Sequence, residues 1–353
     1  MSAPVDLHHH GDRDVVPGLV DLAVNVRLPA PPPWLADVIA DSLQDLGRYP
    51  DPAPAVAAVA RRHRVDPECV LPTAGGAEAF TLVARAVAGS RPVVVHPQFT
   101  EPEAALVAAG RPVGRCVLQH EDGFRLDPSS FAPAGEHADA DLVFVGNPTN
   151  PTGVLHPSGA VRSLRRSGRV VVVDEAFMDA VPGESESVVG PDLEGLIVVR
   201  SLTKTWGLAG LRAGYVVGDP ALVAALRDVQ PPWSVSSPAI AATVACLSER
   251  AVAEAEEAAV AFAADRAVLV HELAAVGLRT AAPSTAPFVL VDTSPLGAGS
   301  VREGLARLGF AVRRGETFPG LGPTWIRLAV RDPETSRSIA AALDDLRRVR
   351  HVA

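Results

Sequence analysis

From Trp34 onward the chain alternates short, fully apolar runs with stretches of helical character. The run "RPVVVHP" (91–97) shows no polar alternation and predicts a strand, and "EPEAALVAAG" (101–110) after it predicts a helix. "DADLVFVGNPTNPTG" (139–153) is a strand that runs into a turn rich in Pro and Gly. "GRVVVVDEAF" (168–177), "GLIVVRS" (195–201) and "RAGYVVGD" (212–219) are further apolar runs bounded by turn residues. Strands that are apolar at nearly every position are buried on both faces, as in a parallel sheet joined by helical crossovers. The predicted class is therefore α/β with a doubly wound core.

The pattern changes near "PPWSVSSPAIAATVACL" (231–247), where one long Ala-rich helical stretch is expected to reach about Gly277. A smaller α+β unit follows, with strands in "APFVLVD", "FAVRRG" and "TWIRLAV" and a helix in "VREGLARLG". Asp332 is a good N-cap for the last helix, Pro333 suits its first turn, and Arg347 and Arg348 sit where the helix dipole favours cations. The expected organisation is an arm over 1–33 ending in "PAPPP", a large domain over 34–235 and a small C-terminal domain over 236–353.

Composition narrows the function. The 353 residues are 48% hydrophobic and 21% charged, with a net charge of −9, which disfavours nucleic acid and anionic membrane surfaces as partners. Cys69, Cys116 and Cys246 are odd in number and widely spaced, as in a reduced compartment. No signal pattern opens the chain and no apolar run approaches the roughly 18 residues of a membrane span, so a cytoplasmic protein is expected.

The polar residues gather at strand ends, where open α/β sheets bind ligands. In "TAGGAEAF" (73–80), Gly75 and Gly76 precede a helix whose first amides can hold an anion, although a plain glycine turn explains them as well. In "GNPTNPTGV" (146–154), two Asn-Pro steps fix a turn and aim Asn150 outward. "VVVVDEAF" places Asp174 at the end of a doubly buried strand, where a carboxylate is costly unless it meets a cation. "VVRSLTKTWGLAGLRAGY" (198–215) sets Ser201, Thr203, Lys204 and Arg212 around one Gly-rich loop. The hydroxyls and Arg212 suit a phosphate dianion, and a desolvated lysine is a nucleophile. A nucleophilic amine, a phosphate cup, a carboxylate for a pyridinium nitrogen and an amide for a phenolate are together the needs of pyridoxal 5'-phosphate.

With these motifs in this order, the chain resembles the class I/II aminotransferases of pyridoxal phosphate fold type I. It is most similar to the branch of histidinol-phosphate aminotransferases and cobalamin-pathway threonine-phosphate decarboxylases. The resemblance implies a large, mostly parallel sheet domain plus a smaller α+β domain. It implies that Lys204 carries the cofactor and moves the α-proton, that Asp174 faces the ring nitrogen and that Asn150 donates to the phenolic oxygen. Gly76 and Ala77 (through backbone amides), Ser201, Thr203 and Arg212 correspond to the phosphate cup, and Phe99 to the aromatic ring stacked on the cofactor. Tyr49 corresponds to a tyrosine that reaches the neighbouring subunit's cofactor, which implies a homodimer. Arg327 corresponds to the arginine that grips the anionic end of a phosphorylated amino substrate, with Arg313 as a second anion contact and Asn25 and His10 beside them.

Phe177 stands where the aminotransferases carry a tyrosine whose hydroxyl also reaches the phenolic oxygen. Together with Asp179, "FPGLG" (318–322) and "HHGD" (9–12), it tilts the reading towards a threonine-phosphate decarboxylase-like enzyme. The chain reads "HHGD" and "LAVNVR", however, where that group reads "HGGN" and "SANINPLG". A histidinol-phosphate-type aminotransferase using 2-oxoglutarate and glutamate is the alternative. A regulatory protein that keeps the fold without turnover is a third reading, against which the complete set of cofactor residues argues.

Overall fold

The structure, a computed structural model, describes residues 6–352. In chain order the strands are β1 (Val20–Leu22), β2 (Val70–Thr73), β3 (Pro92–His96), β4 (Gly114–Val117), β5 (Leu142–Gly146) and β6 (Val170–Asp174). They continue as β7 (Leu196–Ser201), β8 (Gly214–Gly218), β9 (Arg279–Thr280), β10 (Phe288–Asp292), β11 (Phe310–Arg314) and β12 (Trp325–Ala329). Seven form a mostly parallel sheet in the order β2-β8-β7-β6-β5-β3-β4, in which only the pairings of β8 are antiparallel. The other five form a second sheet in the order β1-β11-β12-β10-β9.

The apolar runs of the large sheet divide by alternation. Val143, Val145, Val171, Val173 and Val198 enter one core, while Leu142, Phe144, Val172, Ile197 and Val199 enter the core on the opposite face. Each such side chain contributes roughly 1.5–3 kcal/mol by leaving water, and the polar residues of these strands, Asp174, Arg200 and Ser201, stand at their carboxyl ends. A third core, built on Val289, Val291, Val312, Ile326 and Leu328, holds the second sheet against the helices at 249–275 and 333–352.

Two features differ from the sequence expectation. The arm contributes β1 to the second sheet: Val20 to Leu22 pair in parallel with Phe310 to Val312, and Leu22 is buried in that core. Residues 1–5 of the arm lie outside the described residues. The Ala-rich stretch is two helices, Ser237–Cys246 and Glu249–Ala275, because Ser248 is extended and its hydroxyl accepts from the Ala251 amide as an N-cap. The last helix starts where expected, with the Asp332 carboxylate accepting from the amides of Glu334 and Thr335.

Candidate active site

The carboxyl ends of β5, β6 and β7 lie on one edge of the large sheet, and Thr73 at the end of β2 aligns with Ser201 across Gly214. A cleft of about 490 Å³ opens there, walled on the far side by the arm and the second sheet. It gathers Lys204, Asp174, Asn150, Ser201, Thr203, Arg212, Gly76, Ala77, Phe99 and Phe177 with Arg327, Arg313, Asn25 and His10. Fourteen of the fifteen residues singled out from the sequence thus line one space, and Tyr49 does not.

Lys204 lies on the turn between β7 and β8. Burial, reinforced by the charges of Arg327 and Arg212, lowers its amine to about 8. It is also the chain's only lysine, all its other Lys/Arg cations being arginines. Asp174 ends β6, and burial raises its carboxyl to about 6 despite the Ala176 amide on Oδ1 at 3.0 Å and the nearby Lys204. The buried carboxylate that does find an arginine is its neighbour, Glu175. It forms an ion pair with Arg200, whose Nε lies 2.9 Å away, and accepts from the Val188 amide and the Ser187 hydroxyl, which leaves Asp174 to the cleft.

The candidate anion cup is built from three segments. Gly75 has φ of +78°, and a Cβ there would stand 2.6 Å from Arg212 Nη2, so only glycine lets this turn approach the guanidinium. The helix Gly76–Ala86 follows with no side-chain cap, which leaves its first amides facing the cleft. Ser201 and Thr203 pair through their hydroxyls at 2.7 Å.

Asn150 Oδ1 accepts from Arg327 Nη1 at 2.5 Å, which turns its amide nitrogen free as a donor. The turn that carries it is braced by residues the sequence reading passed over. Asn147 exchanges hydrogen bonds with the His156 backbone at 2.8 and 3.1 Å, and Thr149 Oγ1 lies 3.1 Å from His156 Nε2. Burial lowers His156 to about 4, so it stays neutral. The histidine two residues beyond "PTGV" was the available signal.

On the arm side, both amide atoms of Asn25 are buried without a hydrogen-bond partner among the described residues. Arg327 lies over the Phe288 ring and donates to the Ala23 carbonyl, and burial lowers it to about 9. Arg313 lies 4.7 Å over Phe318, donates to the His9 carbonyl at 2.7 Å and is lowered by burial to about 10. His10 reaches Glu101 at 2.8 Å and tilts against Phe99. Tyr49 is 76% exposed, stacked on Trp233 at 4.2 Å over a separate groove of about 580 Å³. Asp179 points away from the cleft and accepts from Thr205 Oγ1 at 2.6 Å.

The aminotransferase class I and II family matches residues 17–343 of the chain. The chain belongs to that family. It is 45% identical over 336 residues to a histidinol-phosphate aminotransferase of Mycobacterium tuberculosis, with 94% of this chain and 89% of the relative covered. It is 29% identical over 339 residues to the threonine-phosphate decarboxylase of Salmonella typhimurium, covering 92% of this chain and 90% of that one. Its fold matches the aspartate aminotransferase of Thermus thermophilus solved with maleate, with a TM-score of 0.83 at 27% identity over 93% of this chain and 92% of the other. The chain is an enzyme whose cofactor is pyridoxal phosphate. Among the described residues no helix is long and apolar enough to cross a membrane.

Proposed function

We propose that this aminotransferase transfers the amino group of histidinol phosphate to 2-oxoglutarate. One observation carries the reading: the 45% identity to the Mycobacterium tuberculosis histidinol-phosphate aminotransferase along almost the whole chain, against 29% to the threonine-phosphate decarboxylase. It reverses the tilt drawn from the sequence. Two of the features behind that tilt have other work in the fold, since Asp179 faces Thr205 rather than the cleft and Phe318 supports Arg313.

The donor set fits pyridoxal phosphate. The amides of Gly76 and Ala77, the hydroxyls of Ser201 and Thr203 and the Arg212 fork would hold the phosphate. Asp174, ionised above about 6, would keep a proton on the ring nitrogen, and the free amide of Asn150 would donate to the phenolic oxygen. Phe99 would cover the ring and Phe177 lie at its edge. When bound, the cofactor supplies an electron sink for the bonds at the substrate's Cα.

Lys204 is the group that moves a proton at that carbon, and its lowered affinity keeps a useful fraction of the amine unprotonated near neutral pH. Arg327 and Arg313 would take the anionic ends of the substrates, with Asn25 and His10 beside them, and so set which Cα bond stands across the ring. Tyr49, outside its own chain's cleft, would serve the site of a second subunit in a homodimer.

The two buried arginines also favour a second reading, because threonine phosphate carries a carboxylate and a phosphate. Two incubations decide. Glutamate formed from histidinol phosphate and 2-oxoglutarate is the expected result. Release of CO₂ from threonine phosphate without glutamate formation in the first incubation would overturn the proposal.

A further inference from the structure

The lysine sits on a turn, and a turn alone does not hold a four-carbon side chain to the precision proton transfer requires. Two residues that do not line the cleft restrain it, one from the arm and one from beyond β6. From the arm, the Arg27 amide donates to the Lys204 carbonyl at 2.9 Å and Arg27 Nε donates to the Thr205 carbonyl at 3.1 Å. From the short helix Met178–Ala180 after β6, Asp179 Oδ2 accepts the Thr205 hydroxyl at 2.6 Å. The contact with the arm is close along its length. A Cβ on Gly207 would come within 2.9 Å of the Ala30 carbonyl and 3.0 Å of the Leu28 oxygen. The arm is itself held by Arg331 Nη2, which donates to the Val24 carbonyl at 2.8 Å.

We infer that Arg27 and Asp179 are positioning residues for Lys204, clamping its turn through the carbonyl and the hydroxyl of Thr205. Both border a cavity behind the lysine of about 10 Å³, room for about one water and for no substrate, so they act through the lysine rather than on the substrate. The inference rests on the reading of Lys204 as the proton-moving amine. It adds that the arm takes part in catalysis through a residue that never meets the substrate.

The test compares Arg27→Met, Thr205→Val and Asp179→Asn with the parent holoenzyme in the half-reaction with glutamate and with glutamate deuterated at Cα. Arg27→Met keeps the stem without the Nε donor, Thr205→Val keeps the shape without the hydroxyl, and Asp179→Asn keeps an acceptor oxygen. Arg27→Met and Thr205→Val are expected to lower the rate by about 10²-fold and to raise the isotope effect, with glutamate saturation changed less than about threefold. Asp179→Asn is expected to stay within about threefold of the parent.

In the cofactor-free chains, acetylation of the sole lysine, followed by mass spectrometry, is expected to speed up severalfold in Arg27→Met and Thr205→Val. A parental isotope effect and parental acetylation in both overturn the inference, as does a loss of rate matched only by a lower melting temperature. If the parent does not react with glutamate, the acetylation comparison decides alone. If borohydride traps no adduct at Lys204 in the parent, the functional reading fails and the acetylation comparison still judges the clamp.

Discussion

Lys204 and Asp174 owe their altered proton affinities to the same cause, removal from water, which acts in opposite directions on an amine and a carboxyl. The cost appears in the cofactor-free chain. Asp174 holds its proton up to about 6 in the fold, against 3.8 for a free side chain. The folded state therefore binds more protons in that interval, and stability falls as the pH rises through it. Asp174→Asn is expected to raise the melting temperature of the cofactor-free protein in neutral buffer and to leave it unchanged in acid below 3.8, as calorimetry would read. Phe177→Tyr returns a hydroxyl to the ring's edge. It is expected to move the pH midpoint of the holoenzyme's visible band downward by about one unit, and an unmoved midpoint would place that side chain away from the phenolic oxygen. Lys204, Asp174 and the hydroxyls were legible in the sequence because a polar residue ending an apolar run has few structural uses. His156 and Arg27 were not, because a brace takes its meaning from partners that only the fold supplies.

Apolar runs revealed most of the large sheet, since strands buried on both faces cannot hide their pattern. β1, β2, β4 and β9 escaped, being two to four residues long and interrupted by Asp21, Pro72, Arg115 and Arg279. The Ala-rich region was misread for a related reason: alanine continues a helix in either direction, and a single serine decides where one ends and the next begins. Ser248→Ala is expected to cost about 1 kcal/mol in urea unfolding, because the helix Glu249–Ala275 loses its N-cap acceptor. A cost near zero would mean that packing alone sets the break.

For the whole molecule, the telling contrast lies between Lys204, inside the cleft, and Tyr49, stacked on Trp233 in the open. If each tyrosine serves the other subunit, chains lacking one can repair chains lacking the other. Lys204→Ala and Tyr49→Ala chains, each nearly inactive, are expected on mixing and re-equilibration to recover about a quarter of parental activity, since half the dimers are mixed and each then has one intact site. Recovery of nothing would show that the tyrosine acts within its own chain, and a fully active Tyr49→Ala chain would show that it does not act at all.

The pairing of Val20 to Leu22 with Phe310 to Val312 joins two strands that lie far apart along the chain. During synthesis the segment of β1 must wait, unpartnered, until β11 has left the ribosome. A truncated product thus has no edge for that segment to dock on. A chain that stops before β11 cannot seat β1 beside its cleft.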